Sequence, residues 1–297
     1  MCIFEEAGRV FSQTPVASNY ISTMIKFIPL ILLTFTCITT KSQNIYSALH
    51  LNEEREYKTK RPKKIIKTNI FYNNSGKQTL KEVESFDESG MFLNEERFDE
   101  DGSRTVMLTH TNDTINRIVL SNTFERWTKY SYSKELTTYE YDSNKFLILI
   151  LTKNDKGNIL RQTEIKNNDK GHPIEMIVFD ESGNSFGKEI AKYFYETNTY
   201  VASVLTNDER VLSTDTNKIS YKKAYRYPND KNVFNEHGDE VKWTSRNFNG
   251  TETNFEEEYT YDEYGNCTEN KIFKVTYKAS GTSKREIDRI FKKKYTY

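Results

Sequence analysis

The chain has 297 residues, and its 43 lysine and arginine residues balance 43 aspartate and glutamate residues, so its formal net charge is zero. This balance excludes the strongly basic surface that attracts nucleic acid, and we expect no nucleic-acid partner. The hydrophobic fraction is 36% and the mean hydropathy is −0.78, so the chain is polar. Its 20 tyrosines and 18 phenylalanines nevertheless argue against disorder, because disordered segments are poor in aromatic residues.

Residues 24–42 have the layout of a secretory signal peptide, and residues 1–23 ahead of them have no assigned role. The layout consists of a positive charge, an apolar stretch and two small residues before a cut: Lys26, residues 27–38, Thr40 and Ser42. The stretch is shorter than the roughly 20 residues that a membrane-spanning helix needs. A buried strand or an uncleaved anchor is the alternative. We expect cleavage before Gln43, and export to the periplasm, the cell surface or the medium, with no integral membrane segment left.

Residues 43–62 form a polar lead-in to the main domain. A basic run, residues 58–64, overlaps its end, and we interpret this run as a solvated linker, with binding to an anionic surface as the alternative. Cys267 is the only cysteine beyond the predicted cut, since Cys2 and Cys37 precede it. The mature chain therefore has no partner for an intramolecular disulfide.

The main domain, residues 63–297, repeats a short pattern of an aromatic or polar residue, Asp or Asn, two variable residues and Gly. Asp or Asn at the start of a turn can accept a hydrogen bond from the backbone two residues on, and Gly accepts a positive φ. The pattern predicts structural turns at nine glycines: Gly76, Gly90, Gly102, Gly157, Gly171, Gly183, Gly238, Gly250 and Gly265. Tyr141-Asp-Ser-Asn-Lys145 is a degenerate copy with Lys in the glycine position.

The spacing of these glycines leaves about 8–10 residues between turns, which is the usual length of a strand. It leaves no room for a crossover helix, so neighbouring strands must run antiparallel. We therefore predict an all-β fold, an antiparallel array of repeated β-hairpins in an extended meander or a solenoid-like sheet. Residues 103–140 and 184–233 lack the glycine pattern. They are longer hairpins, diverged copies or inserted loops.

Two copies of the pattern, Tyr261-Asp-Glu-Tyr-Gly-Asn266 and Phe179-Asp-Glu-Ser-Gly-Asn184, carry a family resemblance. The chain resembles the Tyr-Asp (YD, or Rhs-type) repeats of bacterial surface and secreted proteins over roughly residues 65–297. It is also similar to the MORN-variant repeat, which is the second choice. The resemblance implies a β-hairpin array on an exported bacterial protein, a class often associated with carbohydrate binding.

The sequence contains no recognisable catalytic or cofactor-binding motif. The four histidines are scattered, and no pair of cysteines offers a zinc site. Neighbouring carboxylates such as Asp87 and Glu88 recur in turn after turn, so turn formation explains them better than acid–base chemistry does. We predict a protein that is not an enzyme and that uses no cofactor and no metal.

Trp127 and Trp243 are the candidate ligand-binding residues, because their rings can stack on a sugar or anchor a protein partner. Packing within the sheet is the alternative role for both rings. The function that we predict is an exported interaction module at the bacterial envelope, with a protein or polysaccharide ligand. A component of a toxin or immunity system, and an enzyme whose site is assembled across strands, are the two alternatives.

Overall fold

The structure of the chain is a computed structural model that describes residues 43–53, 57, 59–73, 76–220, 233–246, 250–277 and 280–297. The upstream segment 1–23 and the predicted signal peptide 24–42 lie outside the described residues. From Gln43 onward the chain forms one compact unit, Gln43–Tyr297. No helix in the described part of the chain is long and apolar enough to cross a membrane.

The unit is almost entirely β-structure, and all of its strand pairs are antiparallel, which confirms the predicted hairpin array. Among the described residues, the one α-helix is α1 (Ile45–Leu49), and a single 3-10 turn covers Tyr195–Thr197. The first strands are β1 (Lys64–Asn73), β2 (Gly76–Phe86), β3 (Phe92–Phe98), β4 (Arg104–Asp113), β5 (Ile118–Trp127), β6 (Tyr132–Tyr141), β7 (Leu147–Asn154), β8 (Ile159–Asn167) and β9 (Pro173–Phe179). The remaining strands are β10 (Ser185–Phe194), β11 (Thr199–Leu205), β12 (Val211–Lys218), β13 (Val233–Phe234), β14 (Glu240–Arg246), β15 (Glu252–Tyr261), β16 (Cys267–Tyr277) and β17 (Ser283–Thr296).

The first and last strands lie side by side within the sheet. β1 pairs with β2 on one side and with β17 on the other, from Lys64 opposite Thr296 to Phe71 opposite Arg289. Successive hairpins continue from β2 to β12 in one direction, and from β17 back to β13 in the other. β1 and β17, the first and last strands of the described chain, are therefore both in the interior of the strand order.

The turns are grouped at the two ends of the strands, and we call these groups the near end and the far end of the sheet. The near end contains the turns at 87–90, 113–117, 142–145, 168–171, 195–198, 235–238 and 262–265. The far end contains the turns at 99–102, 128–131, 154–157, 180–183 and 206–209, together with the connections of β1 to β2 and of β16 to β17.

The main apolar cluster lies on one face of the sheet, close to the turns of the near end. We call this face the inner face. The cluster is formed by buried side chains of α1, of β7, β8, β9 and β11, and of the residue after β12: Ile45, Ala48, Leu147, Ile150, Ile165, Met176, Tyr200, Ala202 and Ile219. Ile45 has no exposed surface, so part of the lead-in belongs to the core. Asn44 caps α1 by accepting from the Ser47 N–H at 2.8 Å, and the carboxylate of Glu189 accepts from the Ile45 N–H at 2.6 Å.

Seven of the nine predicted turns share one hydrogen-bonding scheme, namely those at Gly90, Gly102, Gly157, Gly171, Gly183, Gly238 and Gly265. The turn residues before Gly76 and Gly250 lie outside the described residues. At Asp180 the side-chain Oδ1 accepts from the Ser182 N–H at 2.9 Å and from the Asn184 N–H at 2.8 Å, so it bridges the whole turn. Gly183 has a φ of +80°, and the nine glycines named above have φ between +77° and +119°. Lys145, in the glycine position of the degenerate copy, has a φ of +66°.

The two stretches without the glycine pattern are diverged hairpins rather than inserted loops wherever the structure describes them. Residues 104–141 form β4, β5 and β6, and residues 185–218 form β10, β11 and β12. The turn between β11 and β12 has the same scheme with Glu209 at a φ of +65° in the glycine position. Residues 221–232 of the second stretch lie outside the described residues.

Candidate functional site

An open groove of about 740 Å³ lies on the inner face at the far end, where β1 and β2 meet β16 and β17. Its walls are Phe71, Tyr72, Asn73, Gln78, Lys274, Glu286, Ile287, Asp288 and Arg289. The ring of Phe71 is half-buried and meets the ring of Phe291 edge to face, with a centroid distance of 6.0 Å.

An ion network centred on Asp288 forms one side of this groove. The Nζ of Lys274 lies 2.8 Å from Asp288 Oδ1, and the Nε of Arg289 donates to Asp288 Oδ2 at 2.7 Å. Burial by itself would raise the pKa of Asp288, but the hydrogen bonds from Lys274 and Arg289 outweigh it and hold this pKa below its ordinary value. Asp288 is therefore ionised at neutral pH, and both of its oxygens are engaged.

Trp243 lies on the inner face beside the groove, in a row that crosses four strands. Its pairing partner on β15 is Phe255, whose partner on β16 is Lys274 of the groove. The rings of Trp243 and Phe255 are stacked at 4.1 Å, and the Trp243 N–H donates to Glu257 Oε1 at 2.5 Å. Both the ring face and the N–H of Trp243 thus have partners within the sheet.

Trp127 lies on the opposite, outer face at the far end, where β5 turns into β6. Its ring contacts that of Tyr132 at a centroid distance of 5.4 Å, and the guanidinium of Arg104 lies 4.6 Å from its centre. Tyr130, in the turn itself, is 88% exposed, and Tyr132 is 50% exposed. We call Trp127, Tyr130 and Tyr132 the aromatic patch. The structure does not bring Trp127 and Trp243 together, because they lie on opposite faces of the sheet.

A cluster of buried charges occupies the inner face between the groove and the near end. The Nζ of Lys67 lies 2.5 Å from Glu82 Oε1 and 2.8 Å from Glu84 Oε1, and Arg97 Nε donates to Glu95 at 2.5 Å. Burial raises the pKa of Glu82, while the charge of Lys67 opposes this effect. Two cations thus compensate three carboxylates, and we interpret the cluster as an ion network that joins β1, β2 and β3.

A recurring Tyr-x-Tyr pattern organises the near end. At this end it occurs at Tyr139 and Tyr141, Tyr193 and Tyr195, Tyr259 and Tyr261, and Tyr295 and Tyr297. The Tyr261 hydroxyl accepts from Asn235 Nδ2 at 2.8 Å in the preceding turn, and the Tyr195 hydroxyl accepts from Asn168 Nδ2 at 2.9 Å. The second Tyr of the pattern therefore joins its hairpin to the turn before it, and the recurrence of the spacing was the signal available in the sequence.

No family model matches the chain, and no curated protein matches it. Among solved structures, a porin-like protein from Bacteroides uniformis is similar over 82% of this chain and 100% of its own, with 10% identity and a TM-score of 0.41. TcdB2-TccC3 is similar over 73% of this chain and 14% of its own length, with 10% identity and a TM-score of 0.34. The Pseudomonas aeruginosa MucA/MucB complex is similar over 85% of this chain and 98% of its own, with 7% identity and a TM-score of 0.14. We draw no functional conclusion from TM-scores this low.

Proposed function

We propose that this chain is an exported, non-enzymatic binding module of the bacterial envelope, and that the aromatic patch contacts its protein or polysaccharide ligand. The observation that carries the proposal is the exposure of Tyr130 and Tyr132 beside Trp127 on a single hairpin. Exposed aromatic rings grouped in this way are typical of recognition surfaces, because they offer a large contact area at a small cost in side-chain entropy.

Polar groups around the aromatic patch complete a surface suited to recognition. The Tyr132 hydroxyl donates to Glu125 Oε1 at 2.5 Å, and Lys134 lies 3.6 Å from the same carboxylate oxygen. Arg104 reaches Glu96 at 3.2 Å while its guanidinium covers the Trp127 ring. The indole N–H of Trp127 has no acceptor among the described residues, so it can donate a hydrogen bond to a ligand. The patch thus offers both apolar and hydrogen-bonding contacts.

The start of the compact unit supports the export part of the proposal. The unit begins at Gln43, the residue that would follow the predicted signal peptide. The Gln43 amide donates to Thr152 Oγ1 at 3.0 Å and accepts from the Thr163 hydroxyl, and both threonines are fully buried.

We also propose that the chain belongs to the Tyr-Asp repeat class. Hydrogen bonds between hairpins at the near end support this assignment. Tyr261 precedes Asp262, the first residue of a turn, and reaches the preceding turn through Asn235 and Asp239. Asp262 in turn accepts from the Tyr297 hydroxyl of the last hairpin. The Tyr and the Asp of neighbouring repeats therefore complement each other from hairpin to hairpin.

The proposal is tested by removing the Trp127 ring. An immobilised glycan array and a panel of purified envelope proteins identify the ligand, and calorimetry gives its affinity for the wild type, Trp127→Ala and Tyr277→Ala. We expect Trp127→Ala to weaken binding roughly thirtyfold, because truncating an aromatic hot spot costs about 2 kcal/mol. Tyr277, which is 59% exposed elsewhere on the sheet, is the matched control and should have no effect.

Equal affinities for the wild type and Trp127→Ala would contradict the role of the aromatic patch. Turnover of a substrate by the purified protein, lost when one polar residue is changed, would contradict the non-enzymatic part of the proposal. Recovery of the protein from the envelope fraction with its N-terminal residues 1–42 intact would contradict cleavage before Gln43.

A further inference from the structure

We propose that the groove at the far end of the inner face is a separate binding site for a carboxylate that is attached to an apolar group. It lies on the face opposite the aromatic patch and shares no residue with it. The inference is therefore independent of the proposed function.

Four charged side chains line the groove, namely Lys274, Glu286, Asp288 and Arg289, and their charges balance. Asp288 is engaged by Lys274 and Arg289, and Glu286 lies 2.5 Å from Lys284, which is outside the lining. Because Lys284 compensates Glu286, the two lining cations share the single negative charge of Asp288. A further cation would meet repulsion from Lys274 and Arg289, whereas one more carboxylate would be attracted to them.

Two side chains of the groove have N–H groups without an acceptor among the described residues. Arg289 uses its Nε toward Asp288, and its two terminal nitrogens have no acceptor among the described residues. The side-chain amide of Gln78 likewise has no partner within the described part of the chain. A guanidinium presents its terminal N–H groups as a planar fork, which matches the two oxygens of a carboxylate. Arg289 therefore selects an acceptor group with this geometry, and Gln78 can add one N–H to it through its side-chain nitrogen.

Apolar surface lies beside these donors and defines the rest of the ligand. Phe71 pairs directly with both Gln78 and Arg289 across the neighbouring strands, so its ring is adjacent to the two donors. The edge-to-face contact with Phe291 fixes the orientation of the Phe71 ring. A carboxylate held by Arg289 would place an attached ring or aliphatic segment against Phe71. The chemistry favours an aryl or alkyl carboxylate over a free inorganic anion.

The test uses phenylacetate as the probe and phenylacetamide, which lacks the charge, as the matched control ligand. Ligand-observed NMR titrations on the full chain should show saturable binding of phenylacetate and no comparable binding of phenylacetamide. We expect Arg289→Lys to weaken the binding about tenfold, since an ammonium keeps the charge but loses the planar fork. Phe71→Leu and Gln78→Ala should each weaken it too, whereas Trp127→Ala should leave it unchanged.

Thermal melts identify the variants that remain folded, and Gln78→Ala keeps the test decisive because Gln78 has no partner to lose among the described residues. Equal binding of phenylacetate and phenylacetamide would overturn the proposal, as would unchanged phenylacetate binding in both Arg289→Lys and Gln78→Ala. Competition then separates the sources of the carboxylate. Displacement of phenylacetate by oligogalacturonate indicates a sugar acid, displacement by an amidated hexaglutamate indicates an acidic peptide, and displacement by neither indicates a small organic acid.

Discussion

Within each turn, one short side chain does most of the local hydrogen bonding. Asp180 accepts from two backbone N–H groups, and its own N–H donates to the Asn184 carbonyl at 2.9 Å. These backbone hydrogen bonds, together with one from the Asn184 side chain, hold the pKa of the Asp180 carboxyl below its ordinary value, although the slight burial of the group acts in the other direction. The sequence pattern predicts the bond to the residue two positions on. It does not predict the second bond, to the residue four positions on, which requires the complete turn.

Replacing Gly183 by Val should lower the free energy of unfolding by about 1–2 kcal/mol, because a β-branched residue is strained at positive φ. A Cβ at Gly183 would meet no atom within 4 Å, so backbone strain is the expected cause. Gly183→Asn is the control and should cost less, since Asn tolerates left-handed geometry. Gly171→Ala should lower the free energy of unfolding more than Gly183→Ala does, because a Cβ at position 171 would also clash with the ring of Phe146. Equal melting temperatures for the wild type and Gly183→Val would refute the strain argument.

The lead-in helix is the element that sequence patterns did not predict. α1 has five residues, which is too short to show the 3.6-residue periodicity of an amphipathic helix. Its position depends on tertiary contacts, namely burial of Ile45 in the main apolar cluster and the bond to Glu189. The strands, by contrast, follow from the turn spacing, because each pair of turns fixes where a strand begins and ends.

Glu189, which binds the N-terminus of α1, should make the free energy of unfolding depend on pH. Burial raises the pKa of Glu189 above its ordinary value, and the nearby Asp215 adds to this, while the bond from the Ile45 N–H opposes it. A carboxyl whose pKa rises on folding favours the folded state below its unfolded pKa, and this advantage is lost as the pH rises through the folded pKa. Glu189→Gln should therefore be more stable than the wild type at pH 7, and the difference should shrink below about pH 4. Urea melts at both pH values measure it, with the exposed Glu164→Gln as control, and a Glu189→Gln protein less stable at pH 7 would contradict the argument.

At the scale of the whole molecule, the sequence predicts hairpins but not how the two arms of the sheet join. The pairing of β1 with β17 links residues from opposite ends of the domain, and no local pattern marks it. The groove is equally hard to foresee, because Phe71 and Gln78 on one hairpin meet Lys274 and Arg289 on another only through this pairing. The Asp-Gly turns determine neighbours, whereas the long-range register determines the candidate site.

Hydrogen exchange should show the consequence of this pairing in β1. Its backbone is flanked by β2 and β17, so its amides should exchange only on global unfolding, although it is the first strand of the domain. We expect protection of Ile66, Thr68 and Ile70 equal to that of β8, which is also paired on both sides. Exchange of the β1 amides through a local opening, much faster than in β8, would show that the two arms separate independently.

The β1–β17 pairing also determines the order in which the strands can pair during synthesis of the chain. Lys64 and Thr296 are about 230 positions apart, so their contact contributes a very high contact order to an otherwise local meander. A nascent chain can form each hairpin as it is made, but one edge of β1 has no partner until the final fifteen or so residues are available. That open edge is a template for pairing with another chain, and the lysines of β1, Lys64 and Lys67, are the kind of residue that discourages it. β1, the first strand of the domain to be synthesised, therefore has the longest interval before its second partner strand, β17, is available.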